Sequence, residues 1–359
     1  MIRDRLAKCL CGLGLTLALG AIGAASAAEP TPALKALAAA ANAEGELTLS
    51  FGEGTLGGLD GIKRFQSQIN AAYGTHLDFT FTPGPSMPAM GSKIATMLAA
   101  GQQSPSDVYV AYVRTMGLLT EQNIFLSADW RALGVPEATI EADNTMVKLV
   151  TATPGVLYNT QKVPYKPERL VDFLKPEWKG KIASTPYAAN FDMLASSVGW
   201  GVERAVDYAR QLTPQLAGLL RCNEPERVAS GEFIAFFITC TGNDADDIIK
   251  KGAPVAQLVP RDFAVIGYFY LAVPKNAAHP NAAKLFVANA LTPEGQKLVY
   301  DTWGSDLDLL PGSRTKVAID QIEAAYGQKM IRFEVADAVK NKTGNEAWSQ
   351  ITKILAQRH

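Results

Sequence analysis

The spacing of apolar and polar positions changes several times along this 359-residue chain, and each change predicts an element. Residues 46–51 alternate with a period of two and run into a glycine-rich stretch from Gly52 to Gly58. Ile62, Phe65 and Ile69 then fall on one helical stripe, so the stretch reads as strand, tight turn and amphipathic helix. Residues 76–81 predict a second strand, closed by Pro83 and Pro85, and residues 87–100 a helix with Ile94, Met97 and Leu98 as its apolar face. Residues 107–111 predict a third strand. Strands and helices alternating at this spacing imply parallel pairing through right-handed crossovers. Ligands in such sheets bind beyond the carboxyl ends of the strands. That rule singles out residues 53–58, 84–87 and 109–114.

The second half continues as α/β. A β-rich run over residues 151–158 ends at Asn159 as a turn, residues 180–184 read as a short buried strand, and residues 185–192 open a helix. Residues 194–212 predict one long helix. The apolar run 233–238 predicts a buried strand, followed by a polar loop, 239–244, ahead of a helix at 245–250. Further strands are expected over residues 254–260 and 264–273. Pro280 and Asn281 are expected to cap a helix with Ala283, Phe286, Val287 and Ala290 as its stripe, and Thr292 to cap another. No internal repeat or low-complexity tract interrupts this order.

The first 28 residues belong to a different class. Arg3, Arg5 and Lys8 precede a leucine- and alanine-rich run, and Ala25, Ser26 and Ala27 match a small-x-small cleavage rule, with a cut after Ala27 or Ala28. The run is shorter than the ~20 apolar residues of a spanning helix. Cys9 and Cys11 precede it, which argues against a lipoprotein site. The expected product is exported, and no later segment is apolar enough to span a bilayer. Without the leader the chain carries 31 basic and 34 acidic residues. This balance suggests neither nucleic acid nor an anionic membrane as partner. In an oxidising compartment Cys222 and Cys240 suggest a disulfide, with two reduced buried thiols as the alternative. His76, His279 and His359 are scattered and give no zinc spacing. The glycines after residue 51 match neither GxGxxG nor GxxxxGK[ST], so no dinucleotide or phosphate loop is expected.

Several local patterns together resemble a known family. Gly155, Tyr158 and Asn159 fall as in G-[LV]-x-Y-N, and Trp178 to Ile182 reads W-K-G-K-I ahead of Pro186. Gly252, Ala253, Pro254 and Val255 lead to Asp262, and the runs 271–273, 275–286 and 291–296 follow in order. The set resembles the periplasmic solute-binding proteins of ABC transporters, in the type II group that includes ferric iron, thiamine, polyamine and phosphonate binders. The resemblance implies a two-lobed α/β fold, each lobe a mixed sheet flanked by helices, joined by two crossover strands. Expected bounds are a leader at 1–28, a first lobe at 29–153, a second at 154–265, and a return to the first with C-terminal helices at 266–359. The crossings are expected at about residues 152–158 and 266–272. Such hinges absorb backbone rotation while the solute closes the lobes. The implied partners are a small solute and an ABC permease, with the chain acting as a monomer and no cofactor or metal of its own.

Candidate ligand residues follow from the loops beyond the strands. They are Thr55, Tyr112 with Arg114, Tyr187 and Asn190 at a helix start, Thr241 and Asn243, Asp262, Tyr268 on the returning strand, and Trp303. A ferric site would want several phenolates, often an adjacent pair. Tyr268 and Tyr270 are read as pointing to opposite faces of one strand, so iron is an alternative and not the favoured solute. A cationic amine would use carboxylates with aromatic walls, drawn from Asp262, Glu53, Tyr187 and Trp303. An anion would use helix N-termini with Arg114 or Arg261. The expected ligand is a small polar organic solute whose charge stays open. An exported enzyme is the weaker reading, since no triad spacing, metal pair or paired carboxylates appear. A solute sensor on the same scaffold remains the third reading.

Overall fold

The computed structural model describes residues 30–141 and 143–357. The leader read over residues 1–28, with Cys9 and Cys11, and His359 lie outside the described residues. Eleven strands are described: β1 (Glu46–Leu49), β2 (Asp78–Phe81), β3 (Tyr109–Tyr112), β4 (Met146–Ala152), β5 (Val156–Asn159), β6 (Ile182–Ser184), β7 (Leu216–Leu219), β8 (Ala235–Phe237), β9 (Val255–Leu258), β10 (Val265–Ala272) and β11 (Ile331–Arg332). They form two systems. In the first, β1 and β2 are parallel, and a bridge between Leu49 and Val108 carries that pair to the start of β3. β10 then pairs antiparallel with both β3 and β4 and parallel with β11. The second is a mixed sheet in the order β7-β6-β8-β5-β9. Both systems are mixed and helix-flanked, so the architecture is a two-lobed α/β fold.

Local chemistry explains the helices around the first system. In Pro32–Glu44, Thr31 accepts from the Leu34 amide, proline stands in the first turn, and Gly45 closes the end at φ 77°. Ile62, Phe65 and Ile69 of Gly58–Tyr73 are buried as the stripe predicts. Thr292 caps Pro293–Trp303 by accepting from Gly295 at 3.0 Å. The helix Pro280–Ala290 is capped from elsewhere. The Glu44 carboxylate takes the Asn281 and Ala282 amides, and Asn281 itself lies inside the helix.

The crossings occupy linkers. The run expected as one strand over residues 151–158 is β4 and β5, broken at residues 153–155 by Pro154. Gly155 is needed there, because a Cβ would stand 1.9 Å from the Leu258 carbonyl oxygen. The return, expected within residues 266–272, runs instead through residues 259–264 and the turn Arg261–Phe263, and β10 lies wholly in the first system. A third crossing had no counterpart in the sequence reading. Helix Val335–Lys340 packs against Val113–Thr120, whereas Lys342–Ala356 packs against Phe191–Leu194 and Val202–Leu212. The helix expected over residues 194–212 is likewise two pieces, Phe191–Leu194 and Val202–Leu212. Gly199 turns between them where a Cβ would meet the Met193 carbonyl oxygen at 2.3 Å.

Tyr268 and Tyr270 correct another expectation. Both are fully buried, with ring centroids 6.3 Å apart, because residues two apart on a strand share a face. The Tyr268 hydroxyl bonds Arg332, which also holds Asp308 at 2.6 Å. Asp308 in turn accepts from the Thr151 hydroxyl at 2.8 Å, at the end of β4. This chain ties β4, β10 and β11 together just before the first crossing.

Candidate functional site

A cavity of about 950 Å³ opens where loops from the two lobes face each other. From the first lobe come residues 52–55 after β1, Phe269 of β10, the end of Pro293–Trp303, and Arg314. From the second come Cys222 and Asn223 after β7, and the segment after β8 that runs from Cys240 to Lys250. The segment after β8 is built locally. Asp244 turns back so that its carboxylate accepts from the Thr241 amide at 3.0 Å and the Thr241 hydroxyl at 2.8 Å. Burial raises the Asp244 carboxyl, and these bonds act the other way. The loop is also pinned to the first crossing, since the Thr153 amide donates to the Thr241 carbonyl at 2.8 Å.

Five of the sequence-derived candidates line this cavity: Glu53, Thr55, Thr241, Asn243 and Trp303. Asn243 does more, because its Nδ2 donates to the Trp303 carbonyl at 2.7 Å and so joins the two walls. Phe269, not singled out in the sequence, lies 4.7 Å from Trp303 ring to ring, and the Tyr112 ring packs tilted against it at 4.9 Å. Tyr112 thus supports the aromatic wall without lining it. Its hydroxyl faces Met193 Sδ, and burial beside Asp192 and Asp244 holds it well above the usual tyrosine range.

The remaining candidates stand elsewhere. Tyr187 is exposed, with its hydroxyl 3.5 Å from Cys222 Sγ and 3.7 Å from Cys240 Sγ of a formed disulfide. Asn190 is buried at φ 62° and donates to the Thr239 carbonyl at 2.8 Å. It therefore braces the loop after β8 from behind. Asp262 accepts from the Leu170 and Val171 amides and serves as the cap of a short turn, away from the cavity. Tyr268 is held in the core by Arg332. Arg114 lies 3.8 Å over the Trp348 ring, bonds Asn345 at 3.0 Å and faces buried Asp192 at 4.0 Å. Arg261 donates to the Tyr326 carbonyl. Neither arginine proposed for an anion lines the cavity.

The charges that do line it are mostly acidic. Asp301 is engaged by Lys297, Arg64 and Arg314, and Asp244 by its own loop. Among the described residues, the carboxylates of Glu53, Asp246 and Asp247 have neither hydrogen bond nor ion pair. Lys250 and Arg314 are the cations of the lining, and both sit by the Tyr300 ring, at 5.9 and 4.2 Å. Burial raises the Asp246 carboxyl; Lys250 opposes this, while Asp247 and Asp244 add to it. Asp246 and Asp247 escaped the sequence reading, although the strand-to-helix rule that found Thr241 and Asn243 extends to them. No group of three or more His, Cys, Asp or Glu side chains that could hold a metal occurs among the described residues. No described helix is long and apolar enough to cross a membrane.

Comparison with known proteins gives a consistent picture. Residues 62–325 match the family model of the bacterial extracellular solute-binding proteins. No curated protein matches this chain. Among solved structures, a substrate-binding protein of an ABC transporter from Agrobacterium tumefaciens superposes with a TM-score of 0.71 at 14% identity, covering 86% of this chain and 94% of that one. Iron-bound HitA from Pseudomonas aeruginosa gives 0.65 at 17% identity over 85% and 99%. The spermidine/putrescine-binding protein PotD from Streptococcus pneumoniae gives 0.60 at 16% identity over 86% and 99%. These likenesses carry the fold.

Proposed function

The chain belongs to the bacterial extracellular solute-binding protein family, and we propose that it captures a small cationic amine between its lobes and delivers it to an ABC importer. The observation that carries the amine reading is the unpaired carboxylate set. Glu53 reaches the cavity from one lobe and Asp246 and Asp247 from the other, in a lining that also holds Trp303 and Phe269. Carboxylates and an aromatic wall together recognise an ammonium group by charge and by cation–π attraction. A solute held by both sides favours the closed arrangement by the difference between its open and closed contacts. Binding energy and lobe closure are then one process.

The lining favours an amine over the alternatives. A ferric ion would call for phenolates, yet Tyr300 is the one tyrosine of the lining, and Tyr268 and Tyr270 belong to the core. An anion would meet a surplus of carboxylates. Export to the periplasm, with the leader read over residues 1–28 removed, fits delivery to a permease, and the chain acts there as a monomer. Catalysis has no part in this reading.

Thermal unfolding and calorimetry of the mature chain test it, with putrescine, spermidine, ferric citrate and a sugar phosphate as probes. An amine at 100 times its Kd should add about 2.7 kcal/mol of stability. Replacing Asp246 and Asp247 together by asparagine should weaken amine binding at least tenfold, about 1.4 kcal/mol. Binding of ferric citrate or the sugar phosphate with no response to either amine would overturn the proposal.

A further inference from the structure

The disulfide between Cys222 and Cys240 stands in the wall of the solute cavity. Its two cysteines extend β7 and β8, which flank β6 in the sheet, so the bond joins two ligand-facing loops across the strand between them. The two loops are otherwise held very differently. On the β8 side, Asn190 holds the Thr239 carbonyl, Thr239 exchanges bonds with Gly155, and Thr241 is tied to Thr153. That loop is anchored at the first crossing. On the β7 side, the Leu220 amide donates to the Ser184 carbonyl, and beyond it the Arg221 amide bonds only its near neighbour Glu224. Cys222 packs against the cluster of Leu220, Val228 and Phe233 and meets the Tyr187 hydroxyl, and the sulfur bridge is its covalent tie to the anchored loop. The Tyr187 hydroxyl lies 3.5 Å from Cys222 Sγ and 3.7 Å from Cys240 Sγ.

We propose that the Cys222–Cys240 disulfide is a positioning element of the solute cleft, and that solute affinity is set by its redox state. Both cysteines are half-buried in a cavity wide enough for a reductant to approach. A dithiol donor attacks one sulfur as a thiolate and forms a mixed disulfide. Its second thiol then displaces the remaining bond. Two electrons and two protons pass to Cys222 and Cys240, which leave as thiols, and the donor becomes a disulfide. Reduction frees residues 222–223 while the hinge-anchored loop keeps its bonds. The cleft wall then has to be ordered by the solute, and that ordering subtracts from affinity.

This inference rests on the cleft being the solute site, and two readouts separate the two ideas. Spermidine titrations are run on oxidised protein, on protein reduced with a dithiol and alkylated, and on the Cys222→Ser, Cys240→Ser double variant. Hydrogen exchange of residues 220–224 and 239–244 is followed with no solute present. The expected result is about tenfold weaker spermidine binding in the reduced and double-variant forms. Unalkylated reduced protein should recover on reoxidation, and exchange should quicken at residues 221–224 far more than at residues 239–242. Equal affinity in both redox states, or unchanged exchange at residues 221–224, would overturn the inference. So would loss of the far-ultraviolet circular dichroism of the fold on reduction, which would make the bond a global staple. Failure of oxidised protein to bind spermidine, with exchange responding as expected, would count against the amine and leave the positioning role in place.

Discussion

The bond from Asn243 Nδ2 to the Trp303 carbonyl, 2.7 Å long, connects the loop after β8 to the helix Pro293–Trp303 of the other lobe. A lobe rotation that parts these two residues breaks it, so the bond is taken as a clasp of the closed arrangement. A neutral hydrogen bond of this kind contributes about 1 kcal/mol net. Asn243→Ala should therefore shift the open–closed balance by that amount, and apparent solute affinity should fall about fivefold. Calorimetric titration with spermidine measures the loss. Asn243 also lines the cavity, so a lost contact to solute could produce the same number. Small-angle scattering of the solute-free protein separates the causes, because clasp loss enlarges the unliganded particle and contact loss does not. Gly304→Ala gives a second approach from the opposite wall. At φ 79° its new Cβ would stand 2.7 Å from Asn243 Nδ2, so it should push the clasp apart while the Asn243 side chain stays in the protein. Unchanged affinity together with unchanged scattering in both variants would refute the clasp.

Three further outcomes follow from the same geometry. Burial pushes the Asp192 carboxyl up to about 6, with Arg114 opposing it. Between its unfolded value of 3.8 and about 6 the folded chain keeps a proton that the unfolded chain has released. Stability from this group thus falls as pH rises through that window, by about 3 kcal/mol in all; urea unfolding at pH 4 and 7 should show the fall in the wild type and lose it in Asp192→Asn, and equal pH slopes would count against it. Because the Asp246 carboxyl is raised, amine affinity should begin to drop on acidification above the ordinary carboxylate range; Asp246→Asn should move the onset of that drop to lower pH, and identical pH profiles in the two proteins would contradict it. Asn190 sits at φ 62°, so Asn190→Ala should be about 1 kcal/mol less stable than Asn190→Gly, since both lose the bond to Thr239 but only alanine bears the left-handed strain; equal unfolding midpoints would refute this.

What the sequence revealed and what it hid divide along the range of the interactions. Strand positions were legible from period-two runs, and the rule that ligands lie beyond strand ends led to Thr55, Thr241 and Asn243. Each of these is placed by its own strand and loop, so local pattern suffices. Asp262 fails the same reading because its partners, the Leu170 and Val171 amides, lie 92 and 91 residues away. A free carboxylate and a capping carboxylate look identical in sequence. Tyr187 shows the same limit, since only the fold brings its hydroxyl to the sulfurs and its carbonyl to the Trp348 indole at 2.9 Å. The tyrosine pair on β10 is different. Residues 268 and 270 share a face by the period of a strand, so their expected placement on opposite faces conflicts with strand geometry as well as with the structure.

The last helix marks where sequence pattern stops being able to choose. Its buried Ala347, Ile351 and Leu355 define an apolar stripe, and a stripe states that a face is covered without stating by what. Lys342–Ala356 covers its stripe on the second lobe, although the helix before it packs on the first. Between them Asn341 Nδ2 donates to the Asp192 carbonyl at 3.0 Å, and Arg114 reaches Asn345 and Trp348 from the first lobe. Three chain crossings therefore join the lobes, and the third carries side-chain contacts that lobe rotation has to rearrange. The cleft's closing free energy is then the solute's contacts and the Asn243 clasp together, set against the cost of moving this junction.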